Sequence, residues 1–181
     1  PSKIKQVQSG GVVFRRVTGT GSRLVDAIDS ESSFSHVGII YIAPSQQEDV
    51  FVIHAQPQDG EFVQMETLET FLENATSFAV YEPTYTISDA GLVAAKQAFE
   101  WVNKIKFDRE FNLDTDEALY CTELIYKAYR EAGVDIIGGE FNIVEFPLVQ
   151  IKEAIYPSLL IENDLFILLY SNEDRETQNE K

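Results

Sequence analysis

Three residues in this chain have side chains that could do nucleophilic chemistry together: its single cysteine, Cys121, and its two histidines, His36 and His54. A thiol becomes a useful nucleophile when a base takes its proton and a third group fixes the tautomer and orientation of that base. The cysteine lies in Leu119-Tyr120-Cys121-Thr122-Glu123-Leu124-Ile125. From there Leu124, Ile125, Ala128, Tyr129 and Ala132 follow at helical spacing, and Gly133 supplies a stop. Cys121 is therefore expected in the first turn of an amphipathic helix. Unpaired amides and the positive end of the helix dipole there favour a thiolate. The plainer alternative is an inert core cysteine, since free cysteines are among the most buried residue types.

Both histidines lie in neighbouring β-type runs, Ser35 to Ile42 and Asp49 to Ala55. If the two runs form a hairpin across Pro44–Glu48, with Ala43 facing Asp49, then His54 lies opposite Gly38 and diagonal to His36. Both imidazoles then share one face, roughly 7–8 Å apart at the backbone and within reach of each other. The same register sets Gln56 opposite His36, so either His54 or Gln56 could orient it. A slip of one residue would undo the arrangement. Cys121, His36 and His54 also form a possible three-ligand zinc set with an open position. No local metal-binding spacing accompanies them, and no cofactor is expected.

The elements that must hold these groups follow in chain order. Gly10 and Gly11 turn into a strand at Val12-Val13-Phe14, and Leu24, Val25 and Ile28 suggest a short helix. After the hairpin, Asp59-Gly60 is a turn leading to a strand over 62–65, and Thr67 can cap a short helix through Leu68, Phe71 and Leu72. A strand at 79–82 stops at Pro83. Ser88 is then expected to cap a longer helix burying Leu92, Ala95, Phe99 and Val102. A polar loop over 104–117 precedes the cysteine helix and is a candidate rim for the site. Pro147 opens a further helix with Leu148, Ile151, Ala154 and Ile155, and 165–170 read as a buried last strand. The layout is α+β, a mainly antiparallel sheet with packed helices, in one domain over 1–170 followed by a polar tail over 171–181.

Composition narrows the function. With 14 Lys and Arg against 30 Asp and Glu, the net charge is −16, which repels nucleic-acid backbones and anionic membrane surfaces. No apolar run approaches the roughly 20 residues that span a bilayer, and the polar start at Pro1 does not read as a signal peptide. One cysteine excludes an internal disulfide. Oligomeric state is left open.

Beyond these patterns the chain resembles the circularly permuted papain-like cysteine hydrolases of the NlpC/P60 superfamily, in particular the YiiX/YaeF-like amidases. The matching pieces are Gly10 to Arg15, Leu24 to Ile28, Phe34 to Ile40, Val52 to Ala55, Leu68 to Leu72, Phe107 to Phe111 and Leu119 to Ile125. The Ser35-His36-Val37-Gly38-Ile39 strand and the Tyr120-Cys121-Thr122-Glu123-Leu124 helix start are the specific ones. The resemblance implies a permuted papain-like fold with Cys121 as nucleophile, His36 as general base and His54 as third polar residue, where relatives often have a glutamate. The Cys121 amide would help hold the oxyanion, with Tyr120 and Gln56 as further substrate or oxyanion candidates. Glu123 reads as a helix-dipole and packing residue. The implied substrate is a small peptide, amide or acylated lipid of the bacterial cell envelope, with a periplasmic or envelope location. Relatives commonly carry Gly-Asp where this chain has Gly10-Gly11, so one carboxylate is missing near the start.

Overall fold

Alternating apolar residues build the sheet that carries the histidines. The computed structural model describes residues 7–17, 33–45, 49–57, 62–144 and 152–173. Among these, strands β1 (Val12–Val17), β2 (His36–Ile42), β3 (Val50–His54), β4 (Gln64–Thr67), β5 (Ala75–Pro83) and β10 (Phe166–Ser171) form an antiparallel sheet in the order β10-β5-β1-β2-β3-β4. The β2–β3 register pairs Ile39 with Ile53 and Ile42 with Val50, the pairing expected from the hairpin loop. Short pairs β6 (Lys106–Phe107) with β7 (Ala118–Leu119) and β8 (Asn142–Val144) with β9 (Lys152–Ala154) complete the strands. The expected helix around Leu24, the Asp59-Gly60 turn, the start of the helix at Pro147 and the tail beyond 173 lie outside the described residues.

The period-2 alternation sends side chains into two separate cores. Val12, Phe14, Val37, Ile39 and Ile53 face helices α2 (Ser88–Trp101) and α3 (Cys121–Glu131). Val13, Ile40, Val52 and Val80 face the other way, onto Leu68 and Phe71 of α1 (Leu68–Leu72). Thr67 caps α1 as expected, its hydroxyl oxygen accepting from the Thr70 amide at 3.1 Å.

Four expectations need correction. The buried face of α2 is Gly91, Ala94, Ala95 and Ala98, while Leu92 and Phe99 are partly exposed and Phe99 stacks on Tyr41 at 4.7 Å. The helix lies too close to β1 and α3 for large side chains, so volume overrides hydrophobicity. Ser88 is the first helical residue rather than the cap, and its hydroxyl donates to the Tyr85 carbonyl. Residues 152–154 are strand, not helix: they pair antiparallel with 142–144, and α4 (Pro157–Ile161) starts only after an extended Tyr156, as a proline at the first helical position favours. Strand β10 buries Phe166 but leaves Ile167 and Leu168 exposed, since it is an outer strand.

Among the described glycines, the tightest backbone-to-backbone approach is between Gly10 and Gly91. Gly10 has φ +95, and a Cβ there would stand 2.4 Å from the Gly91 backbone. Its carbonyl also accepts from the buried Tyr129 hydroxyl of α3 at 2.6 Å. Gly133, at φ +83 just past α3, has open space around it, with nothing within 4 Å of where a Cβ would stand. Gly10→Ala should therefore cost about 2–4 kcal/mol, combining backbone strain with a clash, whereas Gly133→Ala should cost about 1 kcal/mol. Urea denaturation of the two variants beside the parent checks this; equal losses would mean the α2–β1 contact is not the tight one.

Candidate active site

The cysteine stands where its local sequence puts it, at the first residue of α3. Tyr120 is extended, and its amide donates to Glu123 Oε2 at 3.1 Å, so the carboxylate reaches back over the helix start. The flanking residues fasten this turn to the segment before α4. The Thr122 hydroxyl donates to the Ile155 carbonyl at 2.6 Å, and the Ile155 amide donates to the Tyr120 hydroxyl at 3.0 Å. Tyr120 is thereby turned into the interior, against Phe111 at 5.1 Å between rings. Its hydroxyl oxygen accepts the Ile155 bond among buried groups. Glu123 is fully buried and pairs with Lys127 Nζ at 3.0 Å, which also binds Asp116 at 2.7 Å and the Thr115 carbonyl. Burial pushes the Glu123 carboxyl up to about 7, against the pull of Lys127.

The loop over 104–117 is a built segment. It contains β6, and the buried Asp108 carboxylate accepts from the amides of Glu110 at 2.7 Å and Asn112 at 2.5 Å. Phe111 takes positive φ (51°) as its ring meets Tyr120.

On β2 the sulfur of Cys121 meets the chain at Val37, whose amide donates to it. On its other edge Val37 pairs with Phe14 of β1, but on the β3 side the pairing ends at Ile39–Ile53 and the strand at His54, so no strand residue stands opposite Val37 there. Val37 follows His36 directly. The thiol is only partly buried as a residue, yet its surroundings are dry enough to push it up to about 11. The amides of Val37, Thr122 and Cys121 pull the other way and do not prevail. Loss of hydration thus opposes the thiolate that the helix end favours, and the balance lies on the side of the thiol. The same burial, with His54 and Arg15 nearby, holds His36 well below the usual histidine range. Burial leaves the thiol and the His36 imidazole each uncharged at neutral pH, and no side-chain contact among the described residues joins the two directly.

The histidine side follows the expected register. His36 Nε2 and His54 Nδ1 lie 3.0 Å apart, their rings edge to face at 83°, with Phe71 beside both. Gly38 makes this possible. A Cβ there would come within 2.3 Å of Val52 Cγ1 and 3.2 Å of His54 Cβ. Gln56 Oε1 accepts from Arg15 Nη2 at 2.9 Å, while His54 is the residue in contact with His36 Nε2. Arg15, opposite His36 on β1, also donates to the Phe71 carbonyl and lies over the Phe71 ring at 4.1 Å.

One residue of this cluster is not evident from the sequence. Glu66 Oε1 lies 3.1 Å from His54 Nε2 and 3.9 Å from Arg15 Nη1. The β3–β4 register pairs His54 with Gln64 and Val52 with Glu66, which brings Glu66 onto the histidine face. The alternation Gln64-Met65-Glu66 is the available signal, but the strand is expected to stop at Met65. The contact with His54 holds the Glu66 carboxyl below the usual glutamate range against partial burial. Glu82 Oε1 lies 3.1 Å from where a residue 11 Cβ would stand and accepts from the Gln8 amide at 3.1 Å.

The zinc set of Cys121, His36 and His54 does not assemble: the two imidazoles are turned toward each other. Among the described residues no group of three or more His, Cys, Asp or Glu side chains could hold a metal ion. No helix there is long and apolar enough to cross a membrane.

The family model described as permuted papain-like amidase enzyme, YaeF/YiiX, C92 family, matches residues 6–153. The chain is also similar in fold to the crystal structure of the metalloprotein yiiX from Escherichia coli O157:H7. That match has a TM-score of 0.72 at 18% identity and covers 90% of this chain and 96% of that one. No curated protein matches. The fold is thus a permuted papain-like one, as the sequence resemblance implied.

Because Cys121 is the one thiol, its ionisation can be followed directly. The 240 nm absorbance of the parent minus Cys121→Ser should stay flat from pH 6 to 9 and rise only toward about 11. A rise centred below pH 7 would mean a resting thiolate–imidazolium pair instead.

Proposed function

The chain belongs to the C92 family of permuted papain-like amidases, and from that premise we propose a cysteine amidase or peptidase with Cys121 as nucleophile and His36 as its base. The observation that carries this reading is the contact of the Cys121 sulfur with the Val37 amide, one residue from an imidazole whose Nε2 is engaged by His54. Engagement of Nε2 leaves Nδ1 of His36 as the nitrogen to receive the thiol proton.

Each step then moves one proton. As Sγ attacks the substrate carbonyl carbon, its proton passes to His36 Nδ1, and the carbonyl oxygen becomes an oxyanion facing the Cys121 amide. The intermediate collapses, the carbon–nitrogen bond breaks, and the proton on His36 goes to the departing amine. Water attacks the thioester with His36 again as base, which releases the acid and restores the thiol. Because thiol and imidazole rest neutral, the charge pair forms during attack. The helix end and its amides therefore act on the charge that develops in the transition state.

For substrate class, the reading favours a small peptide, amide or acylated lipid of the bacterial cell envelope, drawn from family resemblance. A net charge of −16 disfavours polyanionic substrates. The raised thiol supports one rival, a binding domain that keeps the fold without turnover.

Acylation by p-nitrophenyl acetate at pH 7.5 separates the two. The amidase reading expects a burst approaching one p-nitrophenolate per chain, absent in Cys121→Ala and slowed about 100-fold or more in His36→Ala. Circular dichroism of both variants should match the parent. A burst that survives Cys121→Ala, or no burst at all in the parent, would remove the thiol from the chemistry.

A further inference from the structure

Three strands in succession present a chain of contacts that ends on a carboxylate. His36 opens β2, His54 closes β3 and Glu66 lies on β4; the contacts are 3.0 Å from His36 Nε2 to His54 Nδ1 and 3.1 Å from His54 Nε2 to Glu66 Oε1. While both rings are uncharged, two imidazoles in contact through one nitrogen each can share their proton either way. Nothing in the histidine pair alone chooses.

We propose that Glu66 is a positioning residue that sets the proton on both rings, so that His36 presents an unprotonated Nδ1 to Cys121. This rests on the cysteine amidase reading given above. A carboxylate only accepts hydrogen bonds, so His54 Nε2 must carry its proton toward Glu66. Neutral His54 then has a lone pair on Nδ1. That lone pair can only accept, so His36 Nε2 carries the proton between the rings. Neutral His36 is left with its lone pair on Nδ1, the state a general base needs. Reversing the shared proton would place the His54 Nε2 lone pair against the carboxylate, acceptor to acceptor at 3.1 Å.

The surroundings of Glu66 suit this task. Its side chain keeps 24% exposure, so water stabilises the charge at one end of the chain of contacts, while His54 is fully buried at the other. Arg15 Nη1, 3.9 Å from the same oxygen, adds positive charge on that side. When His36 accepts the thiol proton during attack, the carboxylate faces the developing charge through His54. No proton need leave His36 for this to act; the proton returns to the departing group and Glu66 stays ionised throughout. A third residue of carboxylate type is thereby replaced by an imidazole backed by a carboxylate one strand further out.

With only two histidines, the imidazole nitrogens can be read without crowding. The test compares the parent with Glu66→Leu and Glu66→Gln at pH 8, by long-range ¹⁵N–¹H correlation of the rings and by the rate of the p-nitrophenyl acetate burst. In the parent both rings should carry the proton on Nε2. Glu66→Leu should redistribute both rings between tautomers and slow the burst about 10-fold, less than the roughly 10⁴-fold lost when a triad carboxylate bonded directly to the base is disabled, because Glu66 acts through His54. Glu66→Gln keeps an acceptor oxygen, so it should retain the tautomers and lose only part of the rate. Unchanged tautomers in Glu66→Leu, or a parent His36 protonated on Nδ1, would overturn the proposal. A burst that does not need Cys121 or His36 would instead overturn the amidase reading, and the ring tautomers would still decide the role of Glu66.

Discussion

A hydrogen bond between two buried imidazoles, 3.0 Å from His36 Nε2 to His54 Nδ1, is the contact that the rest of the site is built to permit. It requires two strands in one register, because the rings share a face only when Ile39 meets Ile53 and His54 falls opposite Gly38. It also requires the absence of a side chain at residue 38, where a Cβ would displace Val52 and crowd His54. Phe71 closes one side of the pair and Arg15 covers Phe71 in turn. The second core, under α1, is thus as much a seat for the histidines as a source of stability.

The cysteine is held by independent means on the opposite layer. Tyr120 and Thr122 grip both backbone groups of Ile155, and Glu123 returns to the Tyr120 amide. Burying Glu123 is costly, and Lys127 with Asp116 and Thr115 offsets that cost while fastening the preceding loop to α3. The two layers meet where β3 ends and the Val37 amide turns to the sulfur. Dryness at this junction raises the thiol and lowers His36, so each of the two groups rests uncharged.

Legibility followed the range of the interaction. The cysteine helix, the histidine hairpin and its register could be read because each depends on residues close in sequence: a periodic apolar face, a glycine stop, and a loop of fixed length. The α2 face could not, since Leu92 and Phe99 are displaced by Gly91, Ala94 and Ala98 only because β1 and Tyr129 press close. Tyr120 looked like a site residue by its place beside Cys121, yet its hydroxyl is taken by an amide 35 residues away. Glu66 was missed for the same kind of reason, as its face depends on where β4 pairs with β3.

The amino-acid sequence by itself determined the chemistry on offer and its parts: one thiol at a helix start, two imidazoles on one face of a hairpin, and a family pattern that joins them. Only the tertiary structure decided how these groups are ionised and what backs them. Hydration is lost through packing from every side, and a carboxylate on the next strand counts only once that strand is paired. Neither burial nor cross-strand partnership is written in any one stretch of chain.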